Sequence, residues 1–195
     1  MAEDNLSTGR QRMLKQAQHL FSQHGYHGAS IRDIAQACGL ANASLYYHFG
    51  NKQNLYFEVL KEYIAEIAQQ LREAGAVEGS CRERLTRMAD AYAEIIVESQ
   101  SAIQTLIRDL AQFDREEIQH LLPDARDQIQ STISTVLEEG IAAGEIRPLD
   151  TYRVGVLFLG MVSSLAARRL YNTARATLEE DVDLVVNVLF EGIGI

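Results

Sequence analysis

The segment Ser30–Lys52, SIRDIAQACGLANASLYYHFGNK, decides how this chain folds. It opens on Ser30-x-x-Asp33, a pairing in which a hydroxyl and an acidic side chain satisfy the orphan backbone donors of a helix start. Ile31, Ile34, Ala35 and Cys38 then fall on one helical face, and Gly39 stops the helix. Gly39-Leu40-Ala41 is a three-residue turn, and a second short helix runs from about Asn42 to Phe49 before Gly50-Asn51 breaks it. Two helices joined by so short a glycine-bearing turn have helix-turn-helix geometry, in which the second helix enters the major groove of DNA. Gly39 supplies the positive φ that the turn requires. Small Ala35 lets the helices cross closely, and Ile34, Leu40 and Leu45 are expected to fill the wedge between them.

The second of these helices is unusual for a core element. Leu45 and Phe49, four residues apart, form its inward stripe. Asn42, Ser44, Tyr46, Tyr47 and His48 crowd amide, hydroxyl, phenol and imidazole groups onto the outer face. Such groups donate to phosphates or read base edges, and a tyrosine ring packs on thymine methyls. Lys52 begins the next helix and sets a cation beside that helix's positive N-terminal end, where a phosphate is favoured.

Working outward, Thr8-x-x-Gln11 reads as the start of a helix with Met13, Leu14, Ala17, Leu20 and Phe21 on its apolar face, ended by Gly25. A long amphipathic helix from Lys52 uses Leu55, Val59, Tyr63, Ile67 and Leu71. Further helices begin at Ser80 with Glu83, at Ser101 with Gln104 and near Pro123, the last closed by Gly144 and Pro148. Two apolar helices follow, Thr151 to about Tyr171 and Thr177-x-x-Glu180 to about Ile193, although their valine-rich runs near 154 and 185 also suit strands. The expectation is an all-α chain of about nine helices: a three-helix head (1–52) carrying the helix-turn-helix, and a helical body (53–195).

The chain has 195 residues, 47% hydrophobic and 23% charged, with two prolines and no tryptophan. This is globular composition and excludes intrinsic disorder. The net charge of −9 is unevenly spread. Residues 1–60 carry five basic groups (Arg10, Arg12, Lys15, Arg32, Lys52) and four acidic ones (Glu3, Asp4, Asp33, Glu58), which leaves a net −10 on residues 61–195. Phosphate repels such a body, so only the head can approach it. The N-terminus lacks an apolar signal core, and the apolar run Val154–Ala167 is short of the ~20 residues a membrane span needs. A cytoplasmic protein with no membrane partner is expected. Cys38 reads as a small core residue and Cys81 as a surface or boundary thiol. His24 and His27 flank Gly25 as polar residues of a helix end, and neither metal nor cofactor is expected.

From about Thr8 to Leu60 the chain resembles the DNA-binding domain of the TetR family of transcriptional regulators. The likeness lies in AQHLFSQHGYHGAS, IRDIAQACGL and LYYHFGNKQNLY. It implies that Ser30 and Arg32 begin the supporting helix and reach phosphate, Arg32 also a base. It implies that Asn42, Ala43, Ser44, Tyr46, Tyr47 and His48 form the reading face and that Lys52 clamps phosphate. Asn42 stands where the family often has lysine, and Gln53 where it commonly has glutamate.

The resemblance also implies an effector-binding body whose last two helices pair across a homodimer. The dimer residues expected are Val154, Leu157, Met161 and Leu165 on one helix and Val182, Val186, Leu189 and Phe190 on the other, with Gly155, Gly160 and Ser164 allowing close approach. Tyr63, Met88, Tyr92, Ile95, Ile107, Phe113, Phe158 and Met161 are candidates to line a pocket for a small, largely apolar effector, against the alternative that each is core. The function expected is a homodimeric repressor released from a palindromic operator by that effector. One alternative is a ligand-binding dimer without DNA function. The other, a di-metal carboxylate enzyme, needs two Glu-x-x-His elements, and the chain offers Glu117-x-x-His120 alone. The adjacent acids Glu116-Glu117, Glu138-Glu139 and Glu179-Glu180 point ~100° apart on a helix and read as solvated faces rather than catalytic pairs.

Overall fold

In a computed structural model of the chain, residues 2–99, 105, 108–121, 125–171 and 175–193 are described. Among them the elements are α1 (Ala2–Gly28), α2 (Ile31–Cys38), α3 (Asn42–Phe49), α4 (Lys52–Ala76), α5 (Cys81–Glu98), α6 (Arg115–Leu121), α7 (Ala125–Ala142), α8 (Thr151–Ala167), a 3-10 turn (Arg168–Tyr171) and α9 (Leu178–Ile193), with no strand. The valine-rich runs are therefore helical. Helix starts expected at Ser101 and Pro123 lie outside the described residues, as do Ile107 and the His120 side chain.

Local signals set most boundaries. The Ser30–Asp33 and Ser80–Glu83 capping boxes both form. Gly25, at φ 71° and ψ 177°, breaks α1 where the stop is expected, and Gly144 turns with φ 74° after α7. Two ends differ from expectation. The backbone is helical from Ala2, so Thr8 is interior to α1 rather than its cap: Ala2–Leu6 are themselves tolerable helix formers. The α-helix that begins at Thr151 tightens into the 3-10 turn after Ala167. There Arg168 and Arg169 both bond the buried carboxylate of Asp181.

The chain forms two compact units, and the division falls inside α4 rather than at residue 52. The first unit comprises residues 1–63 and 101–123. The physical reason is that the opening turns of α4 bury Leu55, Tyr56, Phe57, Val59 and Leu60 against Met13, Leu14, Ala17, Phe21, Ile34 and Leu45. Leu110, Phe113 and Ile118 pack on the same core. Phe113 thus belongs to an aromatic cluster of the head, with ring centroids 4.9 Å from Tyr26 and 5.0 Å from Phe57, and not to a pocket of the body. Leu40 does not fill the α2–α3 wedge; it is 39% exposed, because the turn projects it outward while Ile34, Leu45 and Phe49 occupy the core. Burial of side chains such as Ile34 and Leu45 contributes about 1.5–3 kcal/mol each.

The second unit comprises residues 64–100 and 124–195. Here α5 packs on α7, α8 and α9. Gly140 marks a close approach, since a Cβ there would lie 2.6 Å from the Cys81 Sγ. Cys81 is accordingly buried rather than at the surface, and its thiol is pushed up to about 11 by burial, with Glu145 adding to the effect. Gly155 faces inward and leaves room for Gln130, whose Nε2 donates to the Tyr152 carbonyl at 2.7 Å. The stripe Val182, Val185, Val186 and Leu189 is buried in this unit's own core. Val182, Val186 and Leu189 therefore cannot form the face expected to meet a partner. The exposed apolar residues of the last two helices are instead Tyr152, Val156 and Leu157 of α8 and Leu184 and Val188 of α9, with Leu157 63% exposed. Met161, Ser164 and Leu165 line a shallow groove with Leu184, Val185 and Val188, and Val154, Met161, Leu165 and Phe190 are half-buried.

Candidate nucleic-acid interface

The α2–α3 pair is built by its two ends. At the α2 start, the Ser30 N–H and hydroxyl donate to Asp33 Oδ2 at 3.2 and 2.6 Å, and the Asp33 N–H donates to Ser30 Oγ at 3.1 Å. These bonds hold the exposed Asp33 carboxyl below its usual range. The Ser30 hydroxyl is thus already engaged, although the residue is exposed, and Arg32 beside it is exposed. At the α2 end, Gly39 adopts φ 68° and ψ 33°. Its N–H donates to Gln36 O at 3.0 Å and the Leu40 N–H to Ala35 O at 2.9 Å, a Schellman stop.

Helix α3 is anchored by Leu45 and Phe49, which are both buried. Asn42, Ala43, Tyr46 and Tyr47 are exposed, Tyr46 to 52% and Tyr47 to 79%. Ser44 and His48 are half-buried, and the His48 ring sits edge-on to Tyr47 at 5.2 Å. The N-cap residue Ala41 makes no side-chain cap bond, so its side chain does not occupy the first-turn amides of α3. Large aromatic rings left in solvent on a helix with only two core contacts form a face built to meet something else.

Lys52 is less free than the sequence implies. Its side chain is half-buried, with Nζ 4.6 Å from the Tyr26 ring centroid. Burial lowers its pKa, and the carboxylates of Asp109 and Asp33 partly oppose that. Asn51 caps α4, accepting the Asn54 N–H at 2.7 Å on Oδ1. Beside His48, a crevice of about 550 Å³ is lined by Arg10, Lys61 and Glu58, but its two cations are paired with Glu58.

Asp109 is the residue of this unit that sequence reading missed. It is buried at 3% exposure and accepts the Tyr26 N–H at 2.6 Å and the Tyr56 hydroxyl at 3.2 Å. The Tyr56 hydroxyl is raised well above its ordinary pKa by burial and by this neighbour. Tyr26 and Asp109 are 83 residues apart, and nothing in the local pattern around Asp109 marks the pairing.

The expected effector residues do not all fall in one unit. Tyr63 and Phe113 belong to the first unit; Met88, Tyr92, Ile95, Phe158 and Met161 belong to the second. Met88, Phe158 and Ile95 are core, and Tyr92 is half-buried, its hydroxyl receiving a bond from Ser163 at 3.3 Å. Of these, Met88 reaches a cleft of about 330 Å³ bounded by Leu71, Ala76 and Val136, with Thr132, Thr135, Arg72 and Arg84 supplying polar atoms. Among the described residues no three His, Cys, Asp or Glu side chains group as metal ligands, and no helix is long and apolar enough to cross a membrane.

Two family models match this chain: bacterial regulatory proteins of the tetR family over residues 13–59, and the tetracyclin repressor-like C-terminal domain over residues 78–167. The chain belongs to the TetR family. It is therefore a DNA-binding transcriptional regulator and not an enzyme. It is 25% identical to the HTH-type transcriptional repressor KstR2 of Rhodococcus jostii over 94% of this chain and 90% of that one. It is 36% identical to the HTH-type transcriptional repressor AcnR of Corynebacterium glutamicum, over 40% of this chain and 41% of that one. A TetR-family regulator structure from Rhodococcus sp. superposes with a TM-score of 0.75 at 26% identity, covering 94% of this chain and 97% of that one. The match to the N-terminal family model spans α2 and α3 and the first residues of α4, so the exposed α3 face lies inside the family's DNA-binding module.

Proposed function

We propose that this regulator acts in the cytoplasm as a homodimeric repressor, binding a palindromic operator and released from it by a small, largely apolar effector. The observation that carries this reading is the exposed face of α3, polar and aromatic, on a helix whose core contacts are Leu45 and Phe49. In this reading Asn42, Ala43, Ser44, Tyr46, Tyr47 and His48 meet base edges and thymine methyls, while Arg32 and Lys52 meet phosphate. KstR2 and AcnR, the two relatives described above, are named repressors, and this supports the sign of regulation.

Homodimerisation is supported by the exposed apolar residues Leu184 and Val188, which line a groove with Met161 and Leu165, and by Leu157, exposed on α8 one turn before Met161. A dimer presents two α3 helices to half-sites about one DNA turn (~34 Å) apart. The cleft beside Met88, with its apolar floor and threonine rim, supports an effector that is mostly hydrocarbon. A coupling of ~1–3 kcal/mol between effector and operator suffices for a 5- to 150-fold change in affinity.

The test is a salt titration of binding to DNA from upstream of the protein's own gene. The expected result is tight binding that weakens steeply with salt, abolished by Tyr47→Ala and reduced by Lys52→Ala. Salt-insensitive binding, or binding indifferent to Tyr47→Ala, refutes the reading.

A further inference from the structure

Asp109 comes from the stretch of chain between α5 and α7, yet it is buried in the first unit. Its Oδ2 accepts both the Tyr26 N–H at 2.6 Å and the Tyr56 hydroxyl at 3.2 Å. The Tyr26 amide directly follows Gly25, where α1 breaks, and a Cβ on Gly25 would lie 3.3 Å from both Asp109 carboxyl oxygens. One side chain therefore fixes the backbone at the α1 break and a tyrosine of α4 together. The Tyr26 and Tyr56 rings stand 5.1 Å apart, and the Lys52 ammonium rests 4.6 Å from the Tyr26 centroid.

A carboxylate removed from water is costly unless donors and a counter-charge surround it. Here the donors are an amide and a phenol, and the nearby cation is Lys52. A core position needing only volume would be filled more cheaply by leucine. What the carboxylate adds is a fixed orientation for the Tyr26 segment and a favourable field for an ammonium that burial disfavours.

We propose that Asp109 is a positioning residue for operator binding: it fixes the tyrosine ring on which Lys52 is seated and so aims that cation at DNA phosphate. The proposal rests on the reading of Lys52 as a phosphate contact. A purely electrostatic role has the opposite sign, because removing a negative charge near DNA strengthens binding.

The experiment measures operator affinity against salt for the full-length protein and for Lys52→Ala, Asp109→Asn, their double variant and Tyr47→Ala. Lys52→Ala should lower the slope of log K against log salt by about 1.8 per dimer, one phosphate per protomer. Asp109→Asn should weaken binding by roughly 5- to 10-fold with a similar loss of slope, and should add little in the Lys52→Ala background. Tyr56→Phe, which deletes one of the two donors while keeping the ring in the core, should show a smaller loss with the same non-additivity. It keeps the proposal testable if Asp109→Asn does not fold. Stronger or unchanged binding by Asp109→Asn, or losses that add fully to Lys52→Ala, overturns the proposal. If Tyr47→Ala leaves binding intact, the functional reading itself falls and the proposal with it; if Tyr47→Ala abolishes binding while the losses add, the proposal alone falls.

Discussion

Replacing Gly39 by alanine isolates one energy in the helix-turn-helix. Gly39 adopts φ 68° and ψ 33°, and a Cβ built there would meet nothing within 4 Å. Side-chain clash with neighbours is thus absent, and the cost is purely that of the left-handed conformation, about 1–2 kcal/mol for an ordinary L-residue. Alanine also narrows the unfolded ensemble, which returns about 0.4–1 kcal/mol. The net expectation is a loss of about 1 kcal/mol, or roughly 2–4 °C in Tm for a chain of this length. Asparagine tolerates the left-handed region and should lose less; valine, branched at Cβ, should lose more. Urea unfolding at constant m reads the series, with stability ordered Gly, Asn, Ala, Val. Gly144, at φ 74° and equally open, should repeat the order in the second unit. Alanine as stable as glycine, or more stable than asparagine, at both positions would refute the reasoning, since open space leaves no contact to invert the sign.

Gly160 is the reverse case: it is exposed within α8 and has no neighbour within 4 Å, so Gly160→Ala should stabilise the protomer by about 1 kcal/mol through helix propensity. If that face meets a second copy closely, sedimentation should show weaker self-association at the same time, and tighter association would argue against close packing there. Cys38 and Cys81 are both buried with thiol pKa values raised by burial, that of Cys81 to about 11. A disulfide reagent at pH 8 should therefore label neither thiol within minutes in the native protein and both after unfolding. Fast labelling of Cys81 would contradict its packing against Gly140, and fast labelling of Cys38 would contradict its burial in the head.

The parts of the head legible in the sequence are those whose physics is local. Ser30 and Asp33 satisfy each other across three residues, and Gly39 and Gly50 take positive φ where the chain must turn. Leu45 and Phe49 lie one helical turn apart and are buried together. Thr8 shows the weakness of a local signal, because a capping pattern cannot end a helix when the residues before it are also helix formers. Leu40 shows another: a three-residue turn has no periodicity, so nothing in the sequence says which way its apolar residue points. Asp109 and Phe113 were beyond reach because their partners lie at Tyr26, Tyr56 and Phe57, more than fifty residues away.

The last helix shows where a hydrophobic pattern stops carrying information. Residues 182, 184, 185, 186, 188, 189 and 190 are all apolar, so the stripe on α9 is wider than one neighbour can cover. Periodicity reports the width of such a stripe but not which part of it the chain covers itself. Val182, Val185, Val186 and Leu189 turn inward, Phe190 is half-buried, and Leu184 and Val188 stay in solvent. The best-formed stripe is the one the protomer needs for its own core, so Val182, Val186 and Leu189 are not free to meet a partner. The surplus left after that core is filled, five apolar residues exposed on two adjacent helices, is what calls for a partner. An interface is therefore better sought in what a helix has left over than in its strongest periodicity.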